Sequence, residues 1–286
     1  MITGANGFLG RNLSRALSNH ELILIDREAG QDIATADINT DLHIIDPLMA
    51  GVDVVIHAAN RARIDPSWNH YAEYYQTNIT GSQSLLVAAQ RRCVKKFIFI
   101  SSSSVYGNNG TLIQSETDSL EPTNPYAVSK VAAEYALGVQ SRLASTELIV
   151  VRPFTMYGEH MDYGPHGLVI GKFITAYQQG LPLELHGGGT QRRDFVHASD
   201  AVAGIKLIIA HGHGGEVYNL GSGSCVSIKD LAMVVSDNTI NVPARIGAVT
   251  VTHADISKLQ DLGYQPTVNV LEWLTDVVRD LKLKHS

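Results

Sequence analysis

Short apolar runs alternate with amphipathic stretches along the first half of the chain, and this alternation restricts the fold more than any other feature. Residues 22–25 (Leu-Ile-Leu-Ile), 53–57, 96–100 and 148–151 are runs of the kind that form strands buried on both faces. Between them, 10–19, 71–92 and 126–143 carry apolar residues three and four apart, such as Leu13, Ala16 and Leu17, and predict helices. Strand, helix, strand in succession gives right-handed crossovers and a parallel, doubly wound α/β sheet. After about residue 152 the alternation weakens, with glycine- and proline-rich loops at 158–167 and 186–190, a helix near 198–210, a strand at 216–220 and a last helix near 269–283. This predicts one large unit over 1–154, to which 196–222 return, and a smaller C-terminal lobe from 155–195 and 223–286. Ligands of doubly wound sheets bind at the carboxyl ends of the strands, so a lobe closing over that edge makes a cleft.

Composition removes several classes of function. The 286 residues are 44% hydrophobic and 17% charged, with a formal net charge of -6, which gives no electrostatic footprint for nucleic acid or anionic lipid. No apolar run approaches the roughly 20 residues of a membrane-spanning helix. Cys93 and Cys225 cannot build a disulfide framework, and no signal peptide is visible, so a cytoplasmic location is expected. His211 and His213 lie among turn glycines without a third ligand at a recognisable spacing, and no metal site is expected.

Gly4, Gly7 and Gly10 form G-x-x-G-x-x-G in Thr-Gly-Ala-Asn-Gly-Phe-Leu-Gly. The first glycine permits a tight turn after a strand, the second lets backbone approach a pyrophosphate, and the third lets the helix pack close to the sheet. The helix N-terminus then offers N–H groups and partial positive charge to phosphates. Asp26 ends the second apolar run, where a carboxylate can accept from both adenosine ribose hydroxyls and repel a 2′-phosphate. NAD is therefore favoured, although Arg27 leaves room for the phosphorylated cofactor, and Asp26 as a mere loop cap is the alternative. Only Met1, Ile2 and Thr3 precede the turn, so the first strand is either truncated or begins upstream of this numbering.

Tyr126 and Lys130 stand four apart just after Pro125, on one face of a predicted helix with Cβ atoms about 6 Å apart. The serines 101–104 end the strand at 96–100, on the ligand edge of the sheet. Bringing a tyrosine from a pKa near 10 to about 7 requires about 4 kcal/mol of preference for the phenolate. One cation at roughly 4 Å supplies about that much at an effective dielectric near 20, and Lys130 and a positive nicotinamide are two candidates for it. Such a phenolate takes a proton from a sugar hydroxyl while hydride leaves the same carbon.

With these residues in place, the chain resembles an extended short-chain dehydrogenase/reductase of the NAD-dependent nucleotide-sugar epimerase/dehydratase group. The likeness covers nearly the whole length: the glycine segment, Ala36-Asp37-Ile38, Val-Ile-His-Ala-Ala (55–59), Asn78, Ser-Ser-Ser-Ser-Val-Tyr-Gly (101–107), Tyr126-x-x-x-Lys130 and Arg-Pro-Phe-Thr-Met-Tyr-Gly (152–158). Further matches are Gly-Gly-Gly-Thr-Gln-Arg-Arg-Asp-Phe-Val (187–196), Asn219-Leu-Gly-Ser-Gly and Ala-Asp-Ile-Ser-Lys (254–258). The resemblance implies a Rossmann domain with a small nucleotide-sugar domain, and a homodimer formed through helices 71–92 and 126–143. It implies Tyr126 as catalytic base, Lys130 as the group that lowers its pKa and holds the nicotinamide ribose, and Ser102 as the hydroxyl that orients the substrate. Gly4, Asn6, Gly7, Phe8, Leu9, Gly10, Asp26, Arg27, Asp37, Ile38, Ala58, Ala59 and Asn78 would serve the cofactor together with Tyr126 and Lys130. Ser102, Ser104, Thr155, Arg193 and Arg245 would serve the substrate, the two arginines clamping its diphosphate.

Departures from the family pattern narrow the reaction. Sugar 4,6-dehydratases carry Thr-Asp-Glu where this chain has Ser102, Ser103 and Ser104, and dehydration needs both an acid and a base. The serine form is similar to that of UDP-sugar 4-epimerases. Thr155 resembles the uronate type, but the Arg-Pro-Asp-Met-Ala segment near the carboxylate is replaced by 159–167, with Asp162, and Ala248 stands where an acid follows Arg245. The reading is an epimerase acting at the fourth carbon of a UDP-hexose or UDP-N-acetylhexosamine through a transient 4-keto sugar. A 4-ketosugar-nucleotide reductase and a non-catalytic dinucleotide-sensing scaffold are the alternatives.

Overall fold

The computed structural model describes residues 1–164 and 167–285; Pro165 and His166, inside the loop expected at 158–167, and Ser286 lie outside the described residues. Seven parallel strands form the main sheet. In chain order its first five are β1 (Ile2–Thr3), β2 (Leu24–Asp26), β3 (Ile33–Thr35), β4 (Val54–His57) and β5 (Lys96–Ile100). β6 (Glu147–Pro153) follows, and the late strand β10 (Val217–Leu220) closes the far edge beside it. The spatial order is β10-β6-β5-β4-β1-β2-β3. The chain thus runs outward from β1 to β3, then returns to the other side of β1 with β4. The switch between β1 and β4 opens a crevice at their carboxyl ends, where doubly wound sheets bind ligands.

Although β1 has only two residues, it is paired on both sides, Ile2 with Leu24 and Ile56, and Thr3 with Ile25 and His57. Two apolar layers cover the sheet. One packs α1 (Phe8–Ala16) and α8 (Ala198–His211) through Leu9, Leu13, Val202 and Ile205. The other packs α2 (Leu42–Leu48), α5 (Ser82–Arg91) and α6 (Pro125–Ser141) through Ile45, Leu85, Leu86, Ala133 and Leu137. Buried strands such as Phe97–Ile100 are apolar on both faces, which is why they read as unbroken runs.

The helix expected over 71–92 is interrupted. α4 (Tyr71–Tyr75) passes into a π-helical turn, Gln76–Gly81, before α5. Asn78 is fully buried and holds Arg61 through the Arg61 N–H (2.8 Å) and carbonyl (3.1 Å), while its amide also donates to Ser129 Oγ at 2.9 Å. Turns of this kind inside helices often mark functional sites.

After Pro153 the chain builds smaller sheets. β7 (Thr155–Tyr157) and β9 (Arg192–His197) pair with each other, and β9 also takes β11 (Cys225–Ser227) and β13 (Val251–Thr252). β8 (Leu183–His186) pairs with β12 (Thr239–Val242). α7 (Val169–Gln178), α9 (Ile228–Val235) and α11 (Val270–His285) close a separate apolar cluster around Phe173, Phe195, Leu231 and Leu274. No helix among the described residues is long and apolar enough to cross a membrane.

Candidate active site

A cleft of about 1220 Å³ follows the carboxyl edge of the main sheet and continues against the smaller sheets. Gly4, Asn6, Gly7, Phe8, Leu9, Gly10, Asp26, Arg27, Asp37, Ile38, Ala58 and Ala59 line it, as do Ser102, Ser104, Tyr126, Thr155, Arg193 and Arg245. Asn78 and Lys130 are not among the lining residues; both stand behind the wall.

At the glycine turn, Gly4 has φ +72, and a Cβ there would lie 2.6 Å from the Ala59 nitrogen. A Cβ on Gly10 would meet the Gly4 carbonyl oxygen at 2.1 Å, so the helix can approach the strand only without a side chain. α1 has no side-chain cap and no acidic residue in its first turn, which leaves N–H groups and positive potential facing the cleft. Asp26 accepts from Asn6 N–H at 2.9 Å and from Glu28 N–H at 3.0 Å, one bond per oxygen, and keeps acceptor capacity for a diol. Asn60 Oδ1 and Arg61 Nε, both on the cleft wall, are buried without a partner among the described residues, a state that polar ligands ordinarily relieve. These residues fit a dinucleotide.

The α6 N-terminus positions the tyrosine. Asn124 caps it by accepting from Ala127 N–H at 2.9 Å, and Pro125 fills the first turn. Tyr126 lies beside the cleft, 7% exposed, with its hydroxyl hydrogen-bonded to Ser102. Ser102 Oγ also accepts from Ser104 N–H at 3.1 Å and caps the short 3₁₀ turn Ser103–Tyr106. Four residues on, Lys130 Nζ donates to the Ile100 carbonyl at 2.8 Å and sits 4.8 Å from the Phe99 ring centre.

Burial governs the electrostatics of the pair. Burial pushes Tyr126 up to about 12, against the Ser102 hydrogen bond that favours the phenolate, and pushes Lys130 down to about 7, against Glu134. Withdrawing both from water drives each toward its neutral form, and the ammonium is spent on a carbonyl. Of the two cations that sequence offered for lowering the tyrosine pKa, Lys130 and a positive nicotinamide, the second enters only with the cofactor.

Behind the lysine lies a buried polar network that sequence reasoning missed. Glu134 and Arg152 are paired at 2.6 Å with 8% and 5% side-chain exposure. Ser101 Oγ donates to the same carboxylate at 2.5 Å, while Arg152 continues to Tyr106 Oη (3.0 Å) and Tyr106 to Asn219 Oδ1 (2.6 Å). The available signal was Arg152 beside the apolar run 148–151, since a buried arginine requires a partner. His57 is another satisfied core group, held by Thr3 and Ser82, and burial pushes it down to about 3.

At the other end of the cleft, charges are tied across elements. Arg63 pairs with Asp162 at 2.9 Å, and Arg245 meets Asp65 at 3.3 Å and His186 at 3.2 Å. Among the described residues Arg193 has no carboxylate partner; its guanidinium donates to the carbonyls of Arg192, Val249 and Thr250. Burial lowers its pKa to about 10, so it remains charged at neutral pH. Nothing in the spacing of Arg63, Asp65 and Asp162 signalled this arrangement. Among the described residues no cluster of three or more His, Cys, Asp or Glu side chains could hold a metal.

Comparison with known proteins agrees with this geometry. Residues 1–221 match the model of the NAD dependent epimerase/dehydratase family. The chain is 31% identical to an uncharacterized UDP-glucose epimerase, YtcB, of Bacillus subtilis, covering 97% of this chain and 96% of the relative. It is 28% identical to a dTDP-glucose 4,6-dehydratase of Streptomyces niveus, covering 97% and 91%. The solved structure of MoeE5 in complex with UDP-glucuronic acid and NAD superposes with a TM-score of 0.89 at 31% identity, covering 96% of this chain and 95% of that one. The Rossmann-like parallel sheet, the dinucleotide cleft and these relatives lead to one assignment: the chain is an enzyme of the NAD-dependent epimerase/dehydratase family.

Proposed function

We propose that the protein is a nucleotide-sugar 4-epimerase acting on a UDP-hexose or UDP-N-acetylhexosamine. The observation that carries this is the Tyr126–Ser102 pair on the cleft wall without a carboxylate at Ser102, Ser103 or Ser104. Two carboxylates at the far end are engaged, Asp65 with Arg245 and Asp162 with Arg63. Dehydration requires a free acid and base, whereas epimerisation requires one group that takes and returns the same proton. NAD, when bound, supplies a reversible acceptor for the hydrogen on the sugar's fourth carbon. Tyr126 Oη takes the proton of the 4-hydroxyl, Ser102 holds that oxygen in line, and Tyr126 returns the proton to the inverted alcohol. Lys130 acts from behind the wall, as positive charge that favours the phenolate.

In this reading the unit 1–154 with 196–222 holds NAD, through the first turn of α1, Asp26 and the Asp37–Ile38 edge. The lobe of 155–195 and 223–286 holds the sugar nucleotide, with Thr155, Arg193 and Arg245. Asn78 serves indirectly, by fixing the backbone of Arg61. UDP is supported by the UDP-sugars named for the relatives, and a neutral sugar by the acidic Asp162.

The test is proton NMR of the purified protein incubated with NAD and a panel of UDP-, dTDP- and GDP-hexoses. A new anomeric signal from an isomeric sugar, without net NADH, is expected from one UDP-sugar. A product lacking the 6-hydroxyl would instead establish a dehydratase, and consumption of reduced cofactor with a 4-keto sugar would establish a reductase.

A homodimer through 71–92 and 126–143 completes the proposal. Val128, Tyr135, Val139 and Leu143 recur at helical spacing along and just beyond α6 and are exposed, Tyr135 by 67%. Tyr135→Glu is expected to give a monomer in sedimentation at concentrations where the native chain is dimeric. A native chain that sediments as a monomer refutes the pairing.

A further inference from the structure

Four cations line the far part of the cleft: Arg63, Lys172, Arg193 and Arg245. Three are engaged, Arg63 and Arg245 by carboxylates and Arg193 by carbonyls. Lys172 differs. Its side chain is half-buried on the second turn of α7, and among the described residues its ammonium has no ion pair or hydrogen bond. Burial and then Arg245 hold its pKa below the ordinary lysine value, Arg63 adds to this, and Asp65 and Glu184 pull the other way. Cations thus crowd a lysine that faces a cavity and, among the described residues, makes no ion pair. The first turn of α7 adds to the same potential: Leu168 gives it no side-chain cap, it contains no acidic residue, and Leu168, Val169 and Gly171 also line the cleft.

We propose that Lys172 is a phosphate-binding residue, whose ammonium takes the diphosphate oxygens of the sugar nucleotide as a third cation beside Arg193 and Arg245. This rests on the nucleotide-sugar reading above. A diphosphate brings two negative charges into the cleft. Arg193 has already spent donors on three carbonyls, and the charge of Arg245 is offset by Asp65. Lys172 supplies the uncompensated charge, and a mobile ammonium suits phosphate as a point charge.

Isothermal titration of the NAD-loaded protein with UDP, dTDP and uridine tests this, on the native chain, Lys172→Gln and Lys172→Arg. Lys172→Gln is expected to weaken UDP or dTDP, whichever the native chain prefers, about tenfold or more, the loss of one charge-assisted hydrogen bond. Uridine affinity stays unchanged, and Lys172→Arg recovers most of the loss. Equal diphosphate affinity in the native chain and Lys172→Gln overturns the proposal while leaving the nucleotide-sugar reading intact. Parallel loss of uridine and UDP also overturns it, since the lysine then acts through packing. A native chain that binds neither diphosphate removes the nucleotide-sugar reading, and the proposal with it.

Discussion

Tyr126→Phe lowers turnover about 10³-fold, in the range expected when a positioned acid–base group is removed. It leaves the fold and NAD retention intact. The hydroxyl lost is a single polar atom on a ring that is 7% exposed, and Ser102 keeps its bond from Ser104 N–H. Leaving Tyr126 without its hydroxyl removes a desolvated group rather than a structural one, so thermal stability changes little. Its ionisation can be followed by tyrosinate absorbance as the difference between native chain and variant. In NAD-free protein that difference emerges only as pH approaches about 12, because burial disfavours the phenolate. In NAD-loaded protein the difference moves to lower pH, since a cationic ring beside the hydroxyl favours its charged form. Identical titrations in both states, or a variant with native turnover, would remove Tyr126 as the base.

Much of this site was legible because its parts are local. Tyr126 and Lys130 share one helical turn, the glycines share one turn of backbone, and Asp26 ends a strand whose partner carries those glycines. Periodicity and turn chemistry act over four to ten residues, and such signals survive in sequence. What failed to show depends on contacts between distant segments. Arg63 finds Asp162, 99 residues away, and Asn78 reaches back to Arg61 from within a π-helical turn. Spacing put Tyr126 and Lys130 on one face, but it could not show that the ammonium would bond to the Ile100 carbonyl. Expected helix ends also moved, 10–19 becoming Phe8–Ala16, since the close approach at Gly10 lets the helix begin beside the glycine turn.

Glu134→Ala carries the largest expected cost in stability. The carboxylate holds Arg152 through Nε at 3.1 Å and Nη2 at 2.6 Å, with both side chains under 10% exposed. Its removal leaves a buried guanidinium with only Tyr106 Oη and the Glu116 carbonyl as acceptors, and frees Ser101 Oγ as well. Breaking such a pair from one side costs about 3–5 kcal/mol, a large part of the roughly 5–15 kcal/mol by which domains are stable. Urea denaturation should therefore show a much lower midpoint for Glu134→Ala. Glu134→Ala with Arg152→Met should recover part of the loss, because the stranded charge is gone. Strictly additive losses would show that the pair is not coupled and sink this account. Glu134→Gln separates stability from catalysis. It keeps the shape and an acceptor for Arg152, yet removes the charge that raises the pKa of Lys130. With burial then less opposed, Lys130 loses its proton at lower pH. Since the proposed chemistry uses its positive charge, the alkaline limb of the activity profile should move toward acid in Glu134→Gln. A stable variant with an unmoved profile would confine Glu134 to a structural role.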